Sequence, residues 1–152
     1  MKNLANFKIA VKTRECLIQA IFQMLFSNQK ASEIINQFKI EHQDRKVDFD
    51  MFSSSLNSIQ DNRAKIESIL VSLNIKDSSI EIIDKSVLYF AINEMIAGNL
   101  DGPIVIDESL RLSKKFSSPD SYKFINASLD KYLKTVQWIY LRIVWFLEGP
   151  VE

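Results

Sequence analysis

Apolar residues recur every three or four positions along almost the whole chain, which is the period of an α-helix with one buried face. In the first such segment the stripe consists of Leu17, Ile21, Met24 and Leu25. It predicts a helix over residues 6–26. The same period predicts further helices at residues 31–38, 49–60, 63–73, 80–96, 107–116 and 118–135. The segments 49–60 and 63–73 would form a helix pair or one helix bent at residues 61–62. A charged loop is expected at residues 42–48.

The segment at residues 80–96 is the most apolar of these, so we expect it to be the central, most buried helix. Asp77, with Ser78 and Ser79, is a candidate cap at its start. Gly98 suits a left-handed stop at its end. In the last predicted helix the core face would comprise Ile125, Leu129, Leu133 and Val136.

The C-terminal stretch VQWIYLRIVWFL, residues 136–147, is apolar on all sides except for Arg142. A membrane-spanning helix needs about 20 such residues, so we expect no membrane span here. The stretch is expected to pack as an extra helix over the C-terminal half or to contact a second copy in a homodimer.

Glycine and proline number only three each, which favours an all-α fold because tight turns and β-bulges draw on glycine. No repeat or low-complexity linker divides the chain. The best boundary is at residues 74–77. The sequence thus predicts about seven helices in two small subdomains, residues 1–75 with a basic first helix and residues 76–152 with the apolar tail.

Reactive side chains are scarce. The only histidine is His42 and the only cysteine is Cys16, so a Ser-His-Asp triad or a cysteine zinc site cannot be assembled. Three dispersed glycines make no phosphate-binding loop. We expect neither an enzyme nor a bound metal or cofactor. The start of the chain has no continuous apolar run after its charges, so a cytoplasmic protein is expected.

The formal net charge is zero, so any nucleic-acid contact must come from a local patch. One candidate is the first helix, where Lys8, Lys12 and Gln19 share a face that Phe22 continues, with Arg14 nearby. Lysines beside an aromatic ring suit single-stranded RNA, because they neutralise phosphates while the ring stacks on a base. The same pattern also fits an ordinary solvated face.

A second candidate lies where two later helices meet. Lys115 and Phe116 end the first of them, and Lys123, Phe124 and Asn126 begin the second. Asparagine has both donors and acceptors for a base edge. By composition alone, an ordinary solvated surface is the better explanation of these residues. We expect the two candidates to come together as one groove for an unpaired strand.

Three stretches resemble the C-terminal half of the NusB transcription antitermination factor family: IDKSVLYFAINEM, IDESLRLSKKF and DSYKFINASLDK. The stretch TRECLIQAIFQM is similar to the first helix of that family. The resemblance implies two small helical bundles that bind the boxA element of ribosomal-RNA leader transcripts. Binding would occur together with ribosomal protein NusE, the small-subunit protein S-ten. The complex would join RNA polymerase and suppress termination.

The resemblance also implies roles for individual residues. RNA contacts are implied for Lys12, Arg14, Gln19, Phe22, Lys115, Phe116, Lys123, Phe124 and Asn126. Contacts with the protein partner are implied for Asp84, Leu88, Asp107 and Glu108. Asp120 would cap the last helix or touch a partner. Asp107 and Glu108 are also explained by the helix dipole if they lie in the first turn of the helix predicted at residues 107–116.

Some positions depart from the family pattern. Ala10 and Val11 stand where basic residues are common, and each missing phosphate contact lowers salt-dependent affinity. We therefore expect weak RNA binding by this chain alone and reliance on the ribosomal protein. Ser117 replaces a usual glycine, and a left-handed cap there would carry modest strain. The alternative function is a NusB-like protein-interaction module with little or no RNA binding.

Overall fold

A computed structural model of the chain describes residues 2–43 and 46–149, with side chains from Leu4 onward. Within these residues the chain forms seven α-helices and no strand, which confirms the predicted all-α fold. The helices are α1 (Lys2–Ser27), α2 (Ala31–Glu41), α3 (Phe49–Asp61), α4 (Arg63–Ser72), α5 (Ile82–Ala97), α6 (Gly102–Phe116) and α7 (Ser121–Glu148). The predicted loop at 42–48 follows α2, although residues 44 and 45 lie outside the described residues.

Helix α5 is the centre of the fold, as its composition predicts. Residues 86–93 are all buried, so every side of the helix faces other residues. It packs against α1, α6 and α7 and also contacts α3 and α4. One hydrophobic cluster joins Leu17 of α1, Phe52 of α3 and Leu129 of α7 around it. The subdomain boundary at residues 74–77 stays a prediction.

A polar contact inside the fold holds the junction between α3 and α4. Asn62 ends α3 and precedes α4. Its Nδ2 donates to Oδ1 of the buried Asn93 at 3.0 Å, and Ser58 Oγ donates to the same oxygen at 3.3 Å. A buried amide oxygen needs such partners. The contact ties the junction to α5.

The starts of α5 and α6 differ from the prediction in ways that change the interpretation of their acidic residues. Asp77 does not cap α5, because Asp77–Ser79 forms a separate 3₁₀ turn and Glu81 occupies the cap position. The Asp77 carboxylate instead accepts a 2.7 Å hydrogen bond from Lys85. Helix α6 begins at Gly102 rather than at residue 107, so its acidic residues lie beyond the first turn and the dipole argument for them is wrong.

The helix ends are partly as predicted. Gly98 has φ 73° and is a left-handed cap, as expected. Ser117 has φ −100°, an ordinary extended conformation, so the predicted strain is absent. The fold ends α6 without a left-handed residue, and serine is therefore tolerated where the family pattern has glycine.

The apolar C-terminal stretch is the second half of α7 rather than an extra helix over the C-terminal half. Val136, expected in the core, is 43% exposed, and Phe146 is 81% exposed. The expectation that the stretch packs on its own domain is therefore wrong. Among the described helices, none is long and apolar enough to cross a membrane.

Candidate nucleic-acid interface

One face of α1 carries the basic and aromatic residues predicted there. Lys8, Lys12, Gln19 and Phe22 follow one another at spacings of four, seven and three residues, which place them on one side of a helix. Lys8, Gln19 and Phe22 are exposed and Lys12 is half-buried. The Phe22 ring stacks on Phe26 at 6.0 Å between centroids. This set of residues is called the α1 face below.

One carboxylate, Glu15, lies between Lys12 and Gln19 on the same side of α1 as the residues of the α1 face. Its oxygens accept hydrogen bonds from Lys115 Nζ at 2.7 Å and from Arg111 Nη1 at 3.1 Å. The Glu15 side chain is only 10% exposed, whereas Lys115 is 49% exposed. Glu15 therefore brings the end of α6 onto the α1 face.

A second carboxylate extends this contact. Glu108 accepts from both Arg111 Nη2 at 2.6 Å and Arg111 Nε at 3.1 Å. The Arg14 guanidinium lies 3.4 Å from the same Glu108 carboxylate. The α1–α6 ion-pair network thus comprises five residues: Arg14, Glu15, Glu108, Arg111 and Lys115. It is a structural joint between two helices that are distant in sequence.

The network keeps both of its carboxylates charged. Burial alone would raise the pKa of Glu15, but hydrogen bonds and charges from Lys115 and Arg111 outweigh it and leave the pKa below the ordinary value. The pKa of Glu108 is lowered in the same way, against burial, by Arg111 and Arg14. Arg14, a predicted RNA contact, is therefore largely committed to an internal ion pair.

A cluster of cations and rings lies where α6 ends and α7 begins. Lys114 Nζ is 5.0 Å from the centroid of the Tyr122 ring, and Lys123 Nζ is 6.0 Å from the same centroid. Lys115 Nζ is 5.7 Å from the Phe116 ring. These are cation–π distances. We call Lys114, Lys115, Phe116, Tyr122 and Lys123 the α6–α7 cluster.

The remaining predicted RNA residues follow the cluster along α7. Phe124, 41% exposed, and Asn126 are both exposed there. Helix α6 is the bridging element, because it packs against α7 and bonds to α1 through Lys115. The two predicted surfaces are thus linked through α6 and the Lys115–Glu15 contact.

Two predicted partner residues cannot belong to a surface. Leu88 is fully buried in α5. Asp84 is also buried and accepts a 3.1 Å hydrogen bond from Ser121 Oγ, which ties the start of α7 to α5. Their places in an apolar helix already indicated burial. Asp107 and Asp120 are exposed, and Asp120 lies 3.6 Å from the Lys123 ammonium.

Sequence reasoning missed Glu15, Arg111 and Tyr122. Glu108 and Arg111 are three residues apart, a spacing that favours an ion pair on one helix. The partner of Glu15 could not be read in this way, because Lys115 is 100 positions further along the chain. Among the residues described by the structure, no group of three or more metal-binding side chains could hold an ion.

Comparison with known proteins assigns the family. The NusB family profile matches residues 11–134, most of the chain. The chain belongs to the NusB family. The transcription antitermination protein NusB of Clostridium perfringens (strain 13) is 33% identical over 132 residues, covering 84% of this chain and 98% of the relative. The NusB protein of Aeromonas salmonicida is 31% identical over 127 residues, covering 82% of this chain and 93% of the relative.

A solved structure supports the fold. The solved structure of T. maritima NusB superposes on this chain with a TM-score of 0.69 at 21% identity, over 82% of this chain and 89% of that chain. The NusB family consists of transcription antitermination proteins rather than enzymes, which agrees with the expected lack of catalysis. The matched region ends at residue 134, so most of the exposed half of α7 lies beyond it.

Proposed function

We propose that this NusB-family protein binds boxA-type leader RNA jointly with ribosomal protein NusE, the small-subunit protein S-ten, and thereby supports ribosomal-RNA transcription by the RNA polymerase antitermination complex. The observation that carries the proposal is the 2.7 Å contact between Lys115 and Glu15. It joins the α6–α7 cluster to the α1 face and so connects cations and rings from both halves of the chain.

The roles of the side chains follow from their chemistry. Lys8, Lys12 and Lys123 supply positive charge for phosphates. The exposed rings of Phe22 and Phe124 offer stacking platforms for unpaired bases. Gln19 and Asn126, both exposed, carry the donors and acceptors that a base edge requires, and they are assigned that role here.

RNA binding by the chain alone is expected to be weak. The net charge is zero, and Arg14 and Lys115 share their charges with Glu108 and Glu15. Fewer phosphates are then neutralised, and affinity falls with each one lost. NusE would supply the additional contacts. The exposed carboxylates of Asp107 and Asp120 are the candidates for its docking surface.

The test is a titration of labelled boxA RNA with the full chain, with and without NusE, over a range of salt concentrations. A shuffled RNA of equal length and composition is the control. We expect weak, salt-dependent binding to boxA that NusE strengthens. Binding that is equally tight without NusE would contradict the reliance on the partner, and no binding in either case would refute the RNA role.

The second candidate function is a protein-interaction module without RNA. The internal ion pairs of Arg14 and Lys115 favour it, since these two charges are then less available to an RNA. A chain that binds NusE but shows no salt-dependent affinity for boxA would have this function. Both functions place the protein with the transcription machinery of the cytoplasm.

A further inference from the structure

The second half of α7, residues 136–148, is an exposed apolar helix that we call the tail helix. Trp138, Tyr140, Trp145, Phe146 and Leu147 are each 60–81% exposed. An ordinary surface helix has a polar face toward solvent, whereas this one is apolar on nearly every side. Exposure of these apolar side chains to water is unfavourable, so we expect the tail helix to pack against another surface.

The amount of exposed apolar surface matches a protein interface. A buried aromatic side chain accounts for about 150–250 Å². On that scale the exposed side chains of the tail helix present on the order of 1,000 Å². The largest apolar patch of an ordinary monomer is about 300–600 Å². A stable interface takes roughly 800 Å² from each partner. The apolar surface of all sides of the tail helix together is therefore comparable with one side of a stable interface, and pairing along one side would cover part of it.

The sequence of the tail helix also has the pattern of a helix-pairing surface. Leu129 and Leu133 pack into the core, and the same stripe continues outside it as Val136, Tyr140, Ile143 and Leu147. The spacings along the stripe alternate between four and three residues. That alternation is the heptad pattern by which two helices pack along their length. We call Val136, Tyr140, Ile143 and Leu147 the seam.

We propose that the tail helix pairs in antiparallel orientation with the tail helix of a second copy, forming a twofold dimer. A closed twofold pair is the commonest oligomer of soluble proteins. Centred between Leu141 and Arg142, the pair sets Val136 opposite the partner's Leu147 and Tyr140 opposite the partner's Ile143. Each layer then joins a larger with a smaller side chain.

The part of the protein that precedes the tail helix, which we call the body, determines the orientation of the pair. On the seam side, the start of α6 lies against Leu133, and a Cβ at Gly102 would be only 2.5 Å from a methyl carbon of Leu133. In a parallel pair both bodies would occupy this side at the same height and collide. In an antiparallel pair the partner's helix ends near Val136, and the two bodies lie at opposite ends.

The single charge in the middle of the tail helix is compatible with this pairing. Arg142 lies off the seam, with its guanidinium 5.3 Å from the Trp138 ring. The charge therefore stays at the solvent side of the pair and shields one aromatic face. Placing the same helix in a bilayer would instead bring this charge close to hydrocarbon, at a cost of a few kcal/mol at the membrane centre.

The first experiment measures the mass of the full chain in solution by sedimentation equilibrium, with two matched variants. Ile143→Glu places a charge in the seam, and Arg142→Glu places one off it. We expect a dimer for the parent and for Arg142→Glu and a monomer for Ile143→Glu. Both positions are exposed in the single chain, so helix content measured by circular dichroism is expected to stay unchanged.

The second experiment fixes the orientation. Chains carrying Val136→Cys and chains carrying Leu147→Cys are mixed and oxidised. Antiparallel pairing predicts disulfide-linked heterodimers of the two variants, because these positions face each other, whereas parallel pairing predicts linked homodimers of each. Cys16 is buried at 3% exposure, so the introduced thiols are the accessible ones.

Four outcomes would overturn the proposal. These are a monomeric parent, a dimer that survives Ile143→Glu, homodimeric cross-links alone, and a monomer that binds anionic lipid vesicles, which would make a membrane surface the occupant. None of these measurements involves RNA or NusE. A result that refutes the dimer can therefore be distinguished from a result that refutes the proposed function.

Discussion

Lys115, in the last turn of α6, donates a 2.7 Å hydrogen bond to Glu15 in the middle of α1, although 100 positions separate them. The Glu15 carboxylate holds Arg111 at the same time. A largely buried carboxylate with two cationic partners stabilises a unique packing of the two helices, because removal of the acid leaves Lys115 without this acceptor and Arg111 with Glu108 alone. The joint therefore affects both stability and the surface proposed to bind RNA.

Replacing Glu15 by glutamine is expected to lower the free energy of unfolding by about 1–2 kcal/mol at neutral pH, because hydrogen bonds to charged groups are lost. The pKa of Glu15 is lowered in the fold, so its stabilisation is present above the unfolded value near 4.5 and is lost as pH falls through the folded value. The variant should lose less stability on acidification than the parent does. Urea unfolding of the parent and the variant at about pH 7 and about pH 3.5 gives the unfolding free energies that measure both effects.

The control for this experiment is Asp130→Asn. Asp130 forms an exposed pair with Lys134, four residues along α7. Exposed pairs contribute little to stability, so this change should cost about 0.5 kcal/mol or less. An equal loss of unfolding free energy in the two variants would show that the partly buried Glu15 contact stabilises the protein no more than an exposed ion pair does.

Single lysine variants test the proposed RNA surface. Lys12→Gln and Lys123→Gln should each weaken boxA binding and reduce the slope of log affinity against log salt by about 0.7, the value for one phosphate of a single strand. Lys65→Gln, an exposed lysine on α4, should leave both quantities unchanged. A change of equal size for Lys65→Gln would indicate a general charge effect rather than a site.

Two positions separate stability from partner binding. Leu88 is fully buried, so Leu88→Ala should cost about 2–5 kcal/mol of stability by leaving a cavity. The exposed Asp107 should tolerate alanine without a change in melting temperature and, if it contacts NusE, with weaker NusE binding. Thermal unfolding and a NusE titration of both variants make the comparison. Normal stability in Leu88→Ala would contradict its place in the core.

Gly102 provides a test of close packing between α6 and α7. A Cβ there would approach the Leu133 methyl groups to 2.5 and 2.9 Å, too close without a shift of that side chain. Gly102→Ala should therefore cost about 1 kcal/mol through overpacking. In a Leu133→Ala background the same change should cost less, and a double-mutant cycle of unfolding free energies measures the difference.

Much of the fold could be predicted from sequence because helical periodicity is a local property. The stripe of Leu17, Ile21 and Met24 fixes the buried side of α1 whatever packs there. The errors at Asp77 and Gly102 arose because a plausible capping residue or turn was given more weight than the surrounding helix. Local signals of this kind compete with tertiary contacts, such as the one that draws Asp77 to Lys85.

The candidate site was less predictable for the same reason. The spacing of Lys8, Lys12 and Gln19 on one helix could be read directly, and the structure has them on one face. The pairing of Arg14 with Glu108 could not, since it depends on how α6 crosses α1. Packing of the tail helix on its own half of the chain is the wrong expectation, because apolar composition predicts burial but does not say whether the same chain supplies the cover.

Both tryptophans of the chain, Trp138 and Trp145, lie in the tail helix and are about 60% exposed. Indole emission from this protein therefore reports the surroundings of the tail helix and is almost blind to the core around α5. A titration followed by that emission would register an event at the tail while the body stayed intact. Collapse of the body would have to be followed through ellipticity or through the signal of the buried phenol of Tyr89.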